Sequence, residues 1–188
     1  MIAHVPVRIN ETLEPVEKIE TLRLVLTWPS NEAILALKNL WRNEKVRKFL
    51  GGIIADEIIN QKINELQNHW ELHKFGLWVV CEKISNQAIG VCGLHYSEDG
   101  IEISYMFFPE FWGKGFASEA VVASIIYGFN TLKIECIIAI TQTENTKSCQ
   151  LLKSIGMRYM SNFMRFNASQ SLFELKRNEC HMINSSKI

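Results

Sequence analysis

Residues 112–118, Trp-Gly-Lys-Gly-Phe-Ala-Ser, form a glycine-containing turn between a strand-like run and a helix-like run. The run before it, 101–108, is rich in β-branched and aromatic residues and is stopped by Pro109, which predicts a strand. The run 116–130 predicts a helix, and the β-branched run 134–141 is typical of a strand buried on both faces. A strand–helix–strand crossover of this kind can place the two strands side by side and parallel, and this strongly constrains the fold.

The glycine turn also predicts an anion site. Glycine lets the backbone bend sharply and lets a ligand approach the peptide groups closely. The first helical turn after it has N–H groups without internal partners, and the helix dipole favours negative charge there. The spacing fits neither a nucleoside-triphosphate loop nor the dinucleotide fingerprint, so the motif alone leaves an ordinary turn as the alternative.

The remaining runs predict a mixed α/β (α+β) domain. Strands are predicted at 22–27, 76–83, 88–95, 157–167 and 172–176, and helices over 31–42, 57–73 and 145–154. The helix starts are assigned to Ser30 or Asn31 and to Asp56, and the last helix stops at Gly156. The order β-α-α-β-β-β-α-β-α-β-β describes one central sheet of about seven strands with helices on both faces.

The chain length is ample for one domain with a sizeable core, since it has 188 residues of which 47% are hydrophobic. No linker or repeat divides it. We assign residues 1–19 to a lead-in with room for a short strand, 20–176 to the domain, and 177–188 to a polar tail that frays.

Composition argues against several partners and compartments. Lys plus Arg and Asp plus Glu each total 20, so bulk charge does not attract nucleic acid or a membrane surface. No run is long enough to span a bilayer, and the N-terminus lacks the apolar core of a secretory signal. The odd number of cysteines, five, without a C-x-x-C pair predicts free thiols and a cytoplasmic protein.

A metal site is not expected. His69 and His73 are four residues apart on a predicted helix, but the sequence between them is not H-E-x-x-H and no third ligand is evident. We therefore predict solvated helix histidines at both positions.

Four segments in order resemble the GNAT superfamily of acyl-CoA-dependent N-acetyltransferases, and most closely its ribosomal-protein N-terminal (alanine) acetyltransferase branch. Glu20-Thr-Leu-Arg-Leu24 resembles that branch's E-T-x-R-L strand, and Glu102-Ile-Ser-Tyr105 resembles its E-I-G-Y strand. Trp112-Gly-Lys-Gly-Phe-Ala-Ser-Glu-Ala120 resembles its pyrophosphate loop. Asn145-Thr-Lys-Ser148, followed by Leu151-Leu152 and Gly156-Met157, resembles its N-x-x-S helix. Ser104 stands where glycine is frequent, and Met157 where phenylalanine is usual.

The resemblance implies how acetyl-CoA would be held. The main-chain N–H groups that would wrap its pyrophosphate are those of Gly113, Lys114, Gly115, Phe116, Ala117 and Ser118. Lys114 would add charge, although a solvated loop lysine is about as good an interpretation. Strands 101–108 and 134–141 would splay apart, with a bulge near Tyr105 to Phe108 as the cause. The pantetheine arm would then pair with backbone groups of Met106, Phe107 and Phe108, one of which polarises the thioester.

The resemblance also implies which residues would accept and donate protons during the reaction. Glu102 is the candidate base, acting directly or through a water, and strand alternation puts it on one face with Ser104 and Met106. The alternative is a glutamate on a half-solvated face. The 145–155 helix has no tyrosine, so Ser148 is the candidate donor to the leaving sulfur, while Asn145 would bind the pantetheine amide and cap the helix. We interpret Cys149 as a packing residue.

The implied function is acetyl-CoA-dependent transfer to a primary amine by direct attack in a ternary complex. A protein or peptide N-terminal α-amine is the first acceptor considered, and a small-molecule amine is the second. A non-catalytic acyl-CoA-binding sensor or interaction module is the rival. The balanced charge argues against a highly cationic acceptor. No metal, nucleic acid or membrane partner is expected, and the choice between monomer and homodimer stays open.

Overall fold

The structure, a computed structural model, describes residues 16–29 and 38–183. Its strands are β1 Lys18–Glu20, β2 Leu24–Thr27, β3 Leu77–Glu82, β4 Gln87–Ser97, β5 Gly100–Phe107, β6 Cys136–Gln142, β7 Arg158–Arg165 and β8 Ala168–Lys176. They form one sheet in the order β1-β2-β3-β4-β5-β6-β8-β7. The predicted mixed sheet is confirmed, with eight strands rather than seven because a short strand, β1, forms partly within the lead-in.

Helices connect the strands near the predicted positions. They are α1 Glu44–Arg47, α2 Asp56–His73, α3 Phe116–Asn130 and α4 Thr146–Ser154, with residues 38–42 also helical. Two 3-10 turns span Pro109–Phe111 and Arg177–Met182. The first part of the predicted helix over 31–42, with its caps at Ser30 or Asn31, lies outside the described residues.

Helix α2 begins differently from the prediction. Asp56 is its first residue rather than its cap, because Ala55 takes the N-cap position without a side-chain hydrogen bond. The Asp56 carboxylate instead accepts two hydrogen bonds from Arg42, at 2.9 and 2.6 Å. Four apolar residues of α2, spaced at helical intervals, are buried: Ile59, Ile63, Leu66 and Trp70.

Helix α3 packs on the sheet face that carries Trp78, Cys92 and Tyr105, which are cross-strand neighbours on β3, β4 and β5. Cys92 Sγ lies 3.6 Å from Ser124 Oγ of the helix, and the rings of Trp78 and Tyr127 meet edge to face at 5.7 Å. The start of α3 is therefore fixed against the sheet, and the glycine turn that precedes it is fixed with it.

Strands β5 and β6 are parallel as predicted, but they pair only at Glu102 and Ile138. Beyond that pair the strands separate. The bulge predicted near Tyr105 to Phe108 is wrong, because the β4–β5 register runs without a shift from Gly100 to Phe107. The gap arises on the β6 side of β5, where ladder pairing stops, and not from an extra residue within β5.

The C-terminal segment is more ordered than predicted. Residues 177–182 form a 3-10 helix, and Ile183 is 5% exposed and belongs to the hydrophobic core. The Arg177 N–H also donates to the Glu135 carbonyl at 2.9 Å. The predicted fraying therefore does not hold for 177–183, where an apolar anchor at the end of a polar stretch secures the chain.

We expect Ile183→Ala to lower the free energy of unfolding by about 2 kcal/mol or more, because it empties a buried aliphatic site. The matched control is Ile84→Ala, at a turn residue that is 95% exposed, which should leave stability nearly unchanged. Urea unfolding followed by tryptophan fluorescence measures both. Equal stability of the two variants would show that the C-terminal segment contributes nothing to the core.

Candidate active site

A large cleft opens where β5 and β6 separate. Its volume is about 1690 Å³, which exceeds that of ordinary small-ligand pockets. Its wall is formed by the glycine turn 112–118, the start of α4, residues 41–50 and α2. The topology thus brings the two motifs that resemble cofactor-binding segments to the same cavity.

The glycine turn has the geometry of an anion cradle. Gly113 and Gly115 have φ angles of 74° and 82°, in the left-handed region that favours glycine. Gly115 occupies the N-cap position of α3, and no side chain caps this end. The first-turn N–H groups of Phe116, Ala117 and Ser118 therefore have no intrahelical partner. A Cβ on Gly113 would meet nothing within 4 Å, so the space over the turn is open.

Ser118 supplies an independent sign that a ligand belongs here. Its Oγ is buried and, within the part of the chain that the structure describes, finds no hydrogen-bond partner. Buried hydroxyls in folded proteins nearly always have one. Lys114 and Lys147 lie over the rings of Phe111 and Trp112, beside the turn. The residues present therefore fit a pyrophosphate group.

A buried carboxylate anchors the turn from behind. Glu119 is 2% exposed and accepts hydrogen bonds from Thr21 Oγ1 at 2.6 Å, Arg23 N at 2.8 Å and Arg23 Nε at 2.6 Å. The Nη1 group of Arg23 donates to the Lys114 carbonyl at 2.9 Å. Arg23 thus connects β2 with the turn and with α3. The sequence prediction quoted both motifs but gave neither Arg23 nor Glu119 a role, although each motif carries one partner of the pair.

The main-chain hydrogen bonds of β5 show which of the residues 106–108 has an N–H group available to a pantetheine arm. The Phe108 N–H donates to Ile89 at 3.0 Å, and the Phe107 carbonyl accepts from Trp112 Nε1 at 2.7 Å. Main-chain hydrogen bonding alternates along an antiparallel pair, so the N–H and C=O groups of Met106, two residues before Phe108, also face β4. Of the three residues predicted to pair with the arm, Phe107 is the one whose N–H faces the gap beside β6.

Tyr105 and Ser148 bridge the gap between β5 and α4. Their hydroxyl oxygens lie 2.7 Å apart, and both residues line the cleft. Burial raises the pKa of Tyr105, so its hydroxyl stays protonated at neutral pH. The Asn145 side chain accepts from the Ser148 N–H at 3.3 Å, which confirms the predicted cap. A tyrosine hydroxyl is thus present beside Ser148, but it comes from strand β5 and not from helix α4, which has no tyrosine.

Glu102 is not part of the cleft lining, although the adjacent Ile103 and the cross-strand neighbour His95 are. It is paired in register with His95 on β4, and its Cα partner on β6 is Ile138. Burial raises the pKa of its carboxyl group, while His95 and Ser97 oppose that shift. The cleft lining includes His95 and Ser104 but does not include Glu102. The role of Glu102 as a base stays a prediction.

Two histidines near the cleft have different hydrogen-bond arrangements. His95 Nε2 lies 2.8 Å from Ser104 Oγ, and its Nδ1 lies 3.0 Å from the Tyr96 carbonyl. His69 Nδ1 lies 2.8 Å from the Phe75 carbonyl, and its Nε2 accepts from the Tyr96 N–H at 3.1 Å. Burial lowers the pKa of His69 to about 4. The prediction of a solvated histidine is wrong for His69, which is a neutral structural group.

Among the described residues, neither a metal site nor a cysteine nucleophile accompanies the cleft. In the described ranges, no three His, Cys, Asp or Glu residues are grouped so that they could hold a metal ion. Burial raises the pKa of Cys92 to about 12, so this thiol is a packing group. Cys149 does not belong to the cleft lining, although its neighbour Ser148 does, and its Sγ lies 4.0 Å from the Thr143 carbonyl.

The family model described as Acetyltransferase (GNAT) domain matches residues 23–158 of this chain. The chain therefore belongs to the GNAT acetyltransferase family. The predicted enzyme class, an N-acetyltransferase that uses acetyl-CoA, is confirmed. The narrower resemblance to the ribosomal-protein branch stays a prediction.

Relatives and solved structures agree with this assignment. Uncharacterized N-acetyltransferase p20 of Bacillus licheniformis is 33% identical over 150 residues, covering 76% of this chain and 83% of the relative. The crystal structure of a GNAT-family acetyltransferase from Bacillus anthracis superposes with a TM-score of 0.74 at 25% identity, covering 86% of this chain and 99% of that one. A spermidine N-acetyltransferase from Vibrio cholerae, solved with CoA and spermine, has a TM-score of 0.73 at 18% identity, with coverage of 86% and 99%.

No helix in residues 16–29 or 38–183 combines the length and apolarity that crossing a membrane would require.

We expect Arg23→Met to destabilise the fold by about 2 to 4 kcal/mol and to weaken CoA binding, because it leaves the Glu119 carboxylate buried without its main partner. Arg42→Met is the matched control. It breaks an ion pair whose side chains are 44% and 60% exposed, which should cost about 1 kcal/mol or less. Thermal unfolding and calorimetric CoA titration measure both effects. Equal losses in the two variants would contradict an anchoring role for Arg23.

Proposed function

We propose that this protein acetylates a primary amine by direct attack of that amine on acetyl-CoA while both are bound. The main support is the open anion cradle at the start of α3, with the orphaned Ser118 hydroxyl, continuous with the gap between β5 and β6. A cofactor whose pyrophosphate occupied the cradle would extend its thioester arm into that gap. The cleft volume of about 1690 Å³ leaves room for an acceptor beside it.

The cradle residues would hold the cofactor by main-chain hydrogen bonds. The N–H groups of residues 113–118 would donate hydrogen bonds to the pyrophosphate oxygens. The α3 dipole favours the two negative charges of that group. Lys114, over the Phe111 ring, and Lys147, over the Trp112 ring, add positive charge beside the turn. The Asn145 amide lies at the start of α4 on the same cleft, where the pantetheine arm would pass.

The thioester would be polarised and its sulfur stabilised by groups at the gap. The Phe107 N–H would donate to the carbonyl oxygen, where negative charge develops during attack. The Ser148 hydroxyl would donate to the leaving sulfur, supported by the Tyr105 hydroxyl 2.7 Å away. A hydrogen-bonded pair of hydroxyls stabilises a thiolate without itself becoming charged. The position of Cys149 outside the cleft favours direct transfer over an acetyl-cysteine intermediate.

The acceptor end of the cleft, formed by residues 41–50 and α2, carries excess positive charge. Its lining contains the cations Lys45, Arg47, Lys48 and Lys62 against one carboxylate, Glu65. Arg47 is 7% exposed, and the partners of its guanidinium among the described residues are the Gly52 and Leu50 carbonyls. Burial lowers the pKa of Arg47 because its charge has lost solvent. An acceptor that carries negative charge near its amine would complement this surface.

We therefore propose the N-terminal α-amine of an acidic peptide or protein as the acceptor. A small amine that bears a carboxylate is the second candidate, because the same cations would bind it. A polycation such as spermidine, which the Vibrio cholerae protein is named for, would be repelled by this lining. A non-catalytic acyl-CoA-binding module is the rival to both. Measuring CoA release from acetyl-CoA distinguishes it, because such a module would release no CoA with any amine.

We expect Gly115→Glu to abolish CoA binding while leaving the fold largely intact. The side chain would place a negative charge in the cradle, and its Cβ would lie 3.2 Å from Arg23 Nη2 at a φ of 82°. Gly52→Glu is matched in backbone strain and charge, with a φ of 80° and nothing within 4 Å of the added Cβ. Isothermal titration with CoA compares the two. Wild-type CoA affinity in Gly115→Glu would remove the cofactor from this turn.

We expect an acidic peptide N-terminus to be acetylated with a higher kcat/KM than a basic one, and spermidine to be the poorest acceptor. Lys48→Glu should reduce the acidic-to-basic preference about three- to tenfold, because one attractive charge becomes repulsive. Lys153→Glu, on an exposed part of α4 outside the cleft lining, is the control. Thiol release at low ionic strength gives the rates. A preference for basic acceptors in the wild type would refute the charge argument.

A further inference from the structure

We propose that Ser104 and His95 form a proton relay that takes one proton from the acceptor's ammonium group, with Glu102 stabilising the imidazolium that results. This inference rests on the proposed function and names the path by which its amine is deprotonated. The relay residues are distinct from the glycine turn that would hold the cofactor and from Ser148, the proposed donor to the sulfur. They lie on the opposite face of β5 from Tyr105.

The hydrogen bonds of His95 fix which nitrogen is basic. The Tyr96 carbonyl, 3.0 Å from Nδ1, can only accept, so Nδ1 carries the hydrogen in the neutral ring. The lone pair of Nε2 then faces Ser104 Oγ at 2.8 Å, and the serine hydroxyl donates to it. The oxygen of Ser104 keeps its own lone pairs for an incoming N–H. This arrangement passes a proton in one direction, from the cleft to the imidazole.

Strand register explains why these three side chains meet. His95 and Glu102 are opposite each other on the antiparallel pair β4–β5, and Ser104 is two residues further along the same face. His95 and Ser104 line the cleft, whereas Glu102 does not. The hydroxyl is therefore placed to touch the amine, the imidazole to receive its proton, and the carboxylate to act on the imidazole alone.

The charged and titratable groups near His95 come from three elements, β5, the β4–β5 hairpin and α2. From β5, Glu102 is the carboxylate in register with it, and no ion pair to Glu102 is found among residues 16–29 and 38–183. Asp99 is further along the hairpin and is neutralised by Arg165 of β7 at 2.7 Å. From α2, His69 adds no positive charge at neutral pH, because burial lowers its pKa to about 4.

His69 also shows why His95 is the better proton acceptor. The Nε2 lone pair of His69 already accepts the Tyr96 N–H at 3.1 Å, and its Nδ1 donates to the Phe75 carbonyl. Protonating His69 would break the bond to the Tyr96 main chain. Protonating His95 breaks no main-chain bond, because the imidazolium donates to Ser104 and Tyr96 together.

The proton balance closes without any further reactant. An alkylammonium has three N–H bonds and the amide product has one. The first proton moves to Ser104 as the serine proton moves to His95 Nε2, which frees the nitrogen lone pair to form the C–N bond. As the C–S bond breaks, the Ser148 hydroxyl gives its proton to the leaving sulfur and is reprotonated by the second proton from the nitrogen, so this proton ends in the thiol product. His95 then returns its proton to solvent.

The test compares Ser104→Ala and His95→Gln with the wild type in kcat and in KM for acetyl-CoA across pH, using the best acceptor of the peptide panel. We expect a loss in kcat of about a hundredfold in His95→Gln and at least about tenfold in Ser104→Ala, with KM for acetyl-CoA unchanged. The wild-type kcat/KM should fall at low pH, and in His95→Gln this limb should be replaced by one at higher pH that follows the ionisation of the acceptor's own amine. His73→Gln, a helix histidine outside the cleft lining, should leave the profile intact.

Two further measurements separate the relay from a structural role. Glu102→Gln should keep the acidic limb and move it to lower pH, because the imidazolium loses its nearby carboxylate. A β-fluorinated analogue of the acceptor, whose amine is mostly neutral at pH 7, should recover most of the rate lost in His95→Gln. An acidic limb that survives in His95→Gln but vanishes in Glu102→Gln would overturn the relay and make Glu102 the base. Turnover in the wild type would still uphold the proposed function, and its absence with every amine would overturn both.

Discussion

The site depends on one constraint: two parallel strands in the middle of the sheet pair at a single position. Past Glu102 and Ile138, the edge of β5 that faces β6 has no neighbouring strand to pair its peptide groups, although the other edge stays paired with β4. Buried peptide groups need partners, so the protein provides local ones where it can, such as the Trp112 indole on the Phe107 carbonyl. What remains is a gap with donors along one edge, and the glycine turn lies at its mouth. An extended ligand arm with its own amides would complete the interrupted ladder.

Two buried glutamates illustrate how the environment assigns different roles to one side chain. Glu119 is surrounded by three donors from Thr21 and Arg23, so its charge is neutralised and it serves as an anchor. Glu102 lacks such an arginine, and burial raises its pKa. A carboxyl whose pKa is raised in the fold costs stability while it is ionised, and that cost disappears as the pH falls through its folded value. The fold therefore carries an electrostatic cost at Glu102 that it avoids at Glu119, next to the cleft rather than away from it.

The sequence predicted what depends on local pattern. Helix α3 was predicted with its observed bounds, because the glycine turn marks its start, and the succession of strands along the chain from β2 to β8 followed from runs of fixed period. Errors occurred where a partner distant in sequence decides the outcome. Asp56 binds Arg42 instead of capping its helix, and Ile183 anchors a tail whose composition is polar. The Arg23–Glu119 link spans 96 residues, so neither motif alone could indicate it. His95 was within reach of prediction, because the hairpin that ends near Gly100 places it opposite Glu102.

Net charge was the least informative of the sequence quantities, although it is the easiest to compute. Equal totals of 20 acidic and 20 basic residues conceal a cleft whose acceptor end is lined mainly by cations. Arg47 is the extreme case, since it is buried and its hydrogen-bond partners among the described residues are carbonyl oxygens rather than a carboxylate. Carbonyl dipoles reduce but do not cancel the cost of removing a guanidinium from water. A bound anion would supply the missing countercharge, and the energy regained would be available for acceptor binding only when the acceptor carries that anion. The proposed selectivity for negatively charged acceptors thus rests on how one cation is buried and not on how many cations the chain contains.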